Sequence, residues 1–178
     1  AIEEWLEIDR YILAFIRSLQ NDVTQAYERN EFHLIVHRLH NFCSEDLGGF
    51  YLDILKDRLY TSAAQGLPRR SAQNALYQLA HSLVRLFAPV ISFTAEEVWQ
   101  HLEGNSDDSI FVHTWHALPA QDDEDTLIRR WSRLRELRSD VQGKLEEVRA
   151  AGEIGSSLAA RVEIRAAGDD LDLLDSLG

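Results

Sequence analysis

Residues 9–30 read DRYILAFIRSLQNDVTQAYERN, and the placing of the apolar side chains in that run decides the fold class. Ile12, Phe15, Ile16, Leu19, Val23, Ala26 and Tyr27 follow one another at steps of 3, 1, 3, 4, 3 and 1. Such spacing puts them on one face of an amphipathic α-helix. Asp9 is expected as its N-cap and Asn30 as its stop.

The same period continues on the C-terminal side. Phe32, Ile35, Val36, Leu39 and Cys43 share a face whose phase runs on through Leu47, Phe50, Tyr51, Ile54 and Leu55. Gly48-Gly49 interrupts it at about 1 kcal/mol per glycine relative to alanine. The expectation is one long bent helix or two helices meeting there. Gly66-Leu67-Pro68 breaks the pattern. A third helix is expected from about Arg69 to Ala88, with Leu76, Leu79, Ala80, Leu83, Val84 and Phe87 inward and Pro89 as its end or kink. Thr94-Ala95-Glu96-Glu97 has the spacing of a capping box opening a helix through Val98, Trp99 and Leu102. A loop is expected over Gly104–Asp108, and extended chain at Ile110-Phe111-Val112 and Trp115.

The acidic run Asp122–Asp125 favours a helix N-terminus. A long helix is expected from Thr126 to Ala151, with a narrow seam of Leu127, Trp131, Leu134, Leu137, Val141, Leu145 and Val148, stopped by Gly152 and Gly155. Arg161–Arg165 alternates like a strand without a ladder partner, and Leu171–Leu177 reads as a short helix. The sum is a mainly α chain: a helical bundle over 1–120, a connecting helix over 121–152, and the start of a truncated α+β appendage over 153–178.

The bulk numbers set limits. The chain has 178 residues, 45% hydrophobic and 27% charged, enough for a sizeable core. No apolar run approaches a membrane span, and no signal-peptide pattern opens the chain. The single cysteine, Cys43, excludes an internal disulfide and fits a reducing, cytoplasmic setting. Methionine is absent, so the chain reads as a stretch of something longer, or as one that lost its start residue. The formal net charge of −12 argues against a general nucleic-acid binder, so any RNA contact must rest on a local patch.

Four segments together resemble bacterial isoleucyl-tRNA synthetases of class Ia. They are Leu39-His40-Asn41-Phe42-Cys43 running on into Phe50–Thr61; Arg69-Arg70-Ser71-Ala72-Gln73; Ala88-Pro89 followed by Phe93–Trp99; and Glu153-Ile154-Gly155-Ser156-Ser157-Leu158. The valyl, leucyl and methionyl enzymes share the looser scheme; the stretches 56–61 and 69–73 point to the isoleucine branch. The class's catalytic signatures are absent, namely a His-Ile-Gly-His-like stretch and a Lys-Met-Ser-Lys-Ser-like loop. So is the cysteine cluster many relatives carry. Gly48-Gly49 stands where small hydroxyl residues are expected.

The resemblance implies a helical anticodon-binding module without a catalytic site. Its parent would be a cytoplasmic, monomeric isoleucine–tRNA ligase, using ATP and Mg and possibly Zn in regions outside this chain. The partners implied are the anticodon arm of tRNA(Ile) and the rest of the parent chain. The other readings are the same module of a valyl or leucyl enzyme, a helical protein–protein scaffold, or a small metalloenzyme using a histidine face.

Anticodon loops are read by stacking and base-edge hydrogen bonds, with cations near phosphates supplying affinity. The candidate surface is Arg29, Arg38, His40, Asn41, Lys56, Arg58, Arg69 and Arg70. Residues 32–70 hold five Lys/Arg and four Asp/Glu, so this stretch escapes the general acidity. Lys56 and Arg58 suit a helix C-terminus whatever their function, whereas Arg69 and Arg70 oppose the N-terminal dipole. His40 and Asn41 either bond bases or satisfy polar groups. The cations of the long helix alternate with acids, as on a solvated face. His33, His37, His40 and Cys43 share one helix face, but four ligands on one straight helix cannot converge tetrahedrally on a metal. Trp5, Trp99, Trp115 and Trp131 could stack on bases; Trp99 and Trp131, in apolar phase, are expected in the core. No triad-like pattern occurs.

Overall fold

A computed structural model of the chain describes residues 2–104, 108–156 and 159–177. These divide into two compact units, 1–124 and 125–178. The loop expected over 104–108 and the end of the fourth resembling segment, Ser157-Leu158, fall partly outside the described residues.

The first unit is built around α1 (Glu7–Glu28). Its N-terminal half is buried on nearly every side, through Ile8, Tyr11, Ile12, Leu13, Ala14 and Ile16. A helix apolar all round belongs in a core, and α1 packs against α2 (Phe32–Asn41) and α4 (Leu67–Phe87). Asn30 sits at φ 58°, the left-handed conformation that asparagine tolerates, and so turns the chain from α1 into α2. One core cluster gathers Val23, Ala26, Ile35, Leu39 and Leu86. An aromatic group, Tyr11–Phe15 (5.9 Å) and Phe15–Phe42 (5.7 Å), continues the core under the next segment.

Between α2 and α3 (Asp53–Thr61) the backbone stays helical but widens into a π-helix over Phe42–Leu52. The helix thus runs without a break from Phe32 to Thr61. Phe42 and Tyr51, both buried, are nine residues apart. On an α-helix that separation is about two and a half turns and would face them oppositely. The wider i→i+5 turns bring both to the same side. The α-phased seam expected through Cys43 and Leu47 is accordingly displaced: Phe42 is buried, while Cys43 and Leu47 are half-buried.

Asp9 is not the cap of α1. The helix starts at Glu7 with Leu6 at its N-cap and no side-chain cap bond. α4 carries Pro68 in its first turn and ends at Phe87, one residue before the Ala88–Val90 turn. Thr94 does not form a capping box either. α5 (Ser92–Leu102) opens two residues earlier, directly out of that turn, so Thr94 already lies inside it. Glu96 rather than Glu97 is the working acid: it accepts from Ser109 Oγ (2.8 Å) and the Ile110 N–H (3.0 Å). Gln100 first, then these donors, hold its carboxyl below the usual range. The bonds fix Ile110–Val112 as a 3-10 turn, not extended chain. Trp99 is buried with Val84, Ala88, Ala95 and Ile110.

Residues 113–123 then run along α1 as a strap. Arg10 donates to both Asp123 oxygens (2.7 and 2.6 Å) and to Gln121 Oε1 (3.0 Å), while Gln121 Nε2 donates to the Arg10 carbonyl (2.9 Å). Arg17 pairs with Glu124 at 2.9 Å and Gln20 donates to the His116 carbonyl at 2.8 Å. Two acids of the run 122–125 therefore hold the strap to α1.

The second unit contains α6 (Glu124–Ala150, shared at its first residue) and α7 (Asp169–Asp175). Gly152, at φ 77°, ends α6 by the left-handed turn that glycine adopts without strain. Along α6 the ion pairs Arg133–Glu136, Lys144–Glu147 and Arg149–Glu146 are spaced i,i+3. Arg133 also grips Asp170 of α7 at 2.7 Å. Arg161–Arg165 has no regular secondary structure; no strand occurs among the described residues. The alternating pattern lacks a partner here, so Val162 and Ile164 stay about half exposed. The architecture is mainly α, as expected.

Candidate nucleic-acid interface

The eight candidate residues fall on α2, α3, α4 and the α1–α2 turn, and the structure treats them differently. Arg58 faces inward. It donates twice to Asp9 (2.8 and 2.7 Å), whose carboxylate is fully buried. Asp9 also accepts from Tyr51 Oη (2.7 Å) and Ser71 Oγ (2.5 Å), and Ser71 in turn accepts from the Leu6 N–H (2.9 Å). Buried charges persist when paired and hydrogen-bonded, and this carboxylate joins α1, the π segment, α3 and α4. Burial above all, then Asp9, pushes the Tyr51 phenol far above its ordinary value, which leaves it a permanent donor. The guanidinium of Arg58 is thereby held by protein.

Three other cations are paired at the surface: Arg29 with Glu31 (2.9 Å), Arg38 with Asp22 (2.5 Å) and Lys56 with Asp53 (3.5 Å). Exposed pairs are worth roughly 0–1 kcal/mol, so a phosphate can displace the acid. Arg69 and Arg70 differ. Of the nine Lys/Arg in residues 1–124, they alone make no ion pair or side-chain hydrogen bond among the described residues. They stand in the first turn of α4, against the helix dipole, with Arg70 exposed. Across the short turn from them, at the end of α3, Tyr60 is 85% exposed.

α2 carries the remaining candidates. Its sequence, FHLIVHRLHN, holds no acid. His40 is exposed; Asn41 is half-buried and lies 3.2 Å from His37 through its amide nitrogen. Phe32, His33, Val36, His37 and His40 line one open groove. Burial raises the Cys43 thiol above its usual value, making it an unreactive neighbour.

One cluster escaped sequence reasoning. Arg85 lies 4.5 Å over the Trp99 ring and donates to the His81 carbonyl at 2.8 Å. His116 stacks on His81 at 5.4 Å and meets Gln78 at 2.8 Å. Burial, then Arg85 and His81, lowers the His116 pKa to about 4; burial, then Arg85, lowers that of His81. Spacing alone relates Arg85 to His81, one turn apart on α4; Trp99 and His116 reach them through tertiary folding. Arg85 is therefore an inward-facing cation.

Comparison with known proteins identifies the family. A family model described as the anticodon-binding domain of tRNA ligase matches residues 9–164. The chain is 68% identical over 179 residues to an isoleucine–tRNA ligase of Nitrosomonas europaea, covering 98% of the chain and 19% of that protein. It is 58% identical to the isoleucine–tRNA ligase of Thiobacillus denitrificans over 177 residues, and 53% identical to that of Dechloromonas aromatica, in each case over 99% of the chain and 19% of the relative. The chain thus spans about a fifth of the length of these relatives. With its α-helical core and the match over 9–164, the chain belongs to the anticodon-binding domain family of tRNA ligases.

Proposed function

We propose that the chain is the anticodon-arm-binding module of an isoleucine–tRNA ligase, a longer protein that charges tRNA(Ile) with isoleucine at the expense of ATP. The observation that carries the contact surface is the pair Arg69 and Arg70, the cations of the first unit that make no ion pair or side-chain hydrogen bond among the described residues, with the exposed Tyr60 at the end of the preceding helix. In a chain of net charge −12 this concentrates attraction for phosphate at one turn. Arg38, Lys56 and Arg29 supply further cations on exchange of their surface acids, and His40 and Asn41 lie on the acid-free helix. The isoleucine branch is supported by the relatives' names and by the stretches 56–61 and 69–73. Arg58 drops out of the contacting set and acts as a positioning residue through Asp9.

The test is fluorescence anisotropy with hairpins carrying the anticodon arms of isoleucine, valine and leucine tRNAs. The isoleucine hairpin should bind best. Arg69→Glu with Arg70→Glu should weaken it at least about tenfold and flatten the plot of log affinity against log salt by roughly one to two. Unchanged affinity removes the pair from the interface, and equal affinity for all three hairpins removes the isoleucine assignment from this module.

A further inference from the structure

We infer that the outer face of α2, formed by Phe32, His33, Val36, His37 and His40 with Trp115 beside it, is a platform for unstacked bases of a single-stranded RNA loop; this rests on the proposed anticodon-arm reading. Phe32 is 55% exposed, Val36 48% and Trp115 42%, and the three histidines are exposed. Large apolar groups on a surface mark a binding site when they are contiguous, and the five α2 residues follow the helical spacing i, i+4, i+8 (Phe32, Val36, His40) and the neighbouring i, i+4 row (His33, His37).

The aromatic groups are pre-set. Tyr27 stacks on Trp115 at 5.5 Å and meets Phe32 edge-on at 6.5 Å. Its hydroxyl donates to the Leu86 carbonyl at 2.8 Å, which anchors the ring, and burial pushes its pKa up to about 12. Phe32 and Trp115 thus flank a fixed ring while exposing their own. His37 is oriented by Asn41 at 3.2 Å. Flat rings stack on bases of any sequence, and imidazoles add donors and acceptors for base edges.

Charge selects the occupant. α2 has no Asp or Glu in a chain with 30 of them, and the neighbouring Glu31 is paired with Arg29. A face free of acid, mixing rings with imidazoles, suits a polyanion whose bases are turned outward. A regular duplex hides its bases and offers this face nothing to stack on.

The experiment uses the full chain with a labelled anticodon hairpin, the same hairpin with abasic loop positions, and a blunt duplex of the stem. Phe32→Ala with His37→Ala should lose about tenfold or more on the looped hairpin, with wild-type affinity on the duplex and no further loss on the abasic hairpin. Circular dichroism should show wild-type helix content; if it does not, Val36→Ser with His40→Ala on the same exposed face decides by the same readout. Wild-type affinity of the α2 variants, while the Arg69/Arg70 reversal weakens binding, overturns the platform and leaves the anticodon-arm reading standing. Equal loss on the duplex overturns it as well, as does an unaltered RNA affinity with a changed oligomeric state, which would mark a face between two copies. Failure of the wild-type chain to bind any hairpin overturns both readings.

Discussion

Asp9 shows how far one side chain can depart from its local signal. An aspartate ahead of an apolar helix is a good N-cap; here three donors distant in sequence converge on it. Asp9→Ala would leave Arg58, Tyr51 and Ser71 without their acceptor. Breaking a buried pair from one side costs about 3–5 kcal/mol, so the urea midpoint should fall sharply. Arg58→Met added to it should recover part of the loss, a non-additivity expected of contacting residues. His116 supplies the pH dependence. Its folded pKa of about 4 lies below the ordinary 6.5, so between those values the unfolded chain holds a proton that the folded one rejects. Stability from this group is fully present above pH 6.5 and is lost as pH falls toward 4. His116→Gln should flatten the fall of thermal midpoint with acidification, measured by circular dichroism. Neither residue was legible in sequence, because the partners that define them lie 31 or more residues away. The place of Arg69 and Arg70 in the first turn of a helix was legible, because opposition to a helix dipole is a local property.

Among the elements, helix existence followed from periodicity, and the α1, α4 and α6 spans agree with expectation to within a few residues at each end. The π segment did not, since an α-phase through Cys43 and Leu47 is equally compatible with the residue types; only the burial of Phe42 with Tyr51 requires the wider turn. The extended reading of Ile110–Val112 failed for a related reason: Glu96, on another element, supplies the bonds that curl it. The strap at 113–123 has no regular structure, so its order depends on side chains from α1. Arg10→Ala removes both Asp123 bonds and the Gln121 bond. Amides of residues 116–123 should then exchange markedly faster by hydrogen-exchange mass spectrometry, while those of α1 change little; uniform acceleration would show that the strap is integral to global stability.

At the scale of the whole molecule, the RNA-facing role proposed for an acidic chain rests on how its charge is distributed. In the first unit most cations are held by partners, and the ones left over stand at the α3–α4 turn. The family could be read from four short segments in order, yet the candidate contact surface could not be narrowed from sequence, since a sequence does not say which arginines are already engaged. The shared carboxylate also dictates an order of completion. Asp9 leaves the ribosome long before Tyr51, Arg58 and Ser71, which follow by 42, 49 and 62 residues, and Gln121 reaches Arg10 only 111 residues after it. α1 is therefore locked only by partners synthesised after it, and until Ser71 emerges its buried acid must remain hydrated, keeping the nascent bundle open.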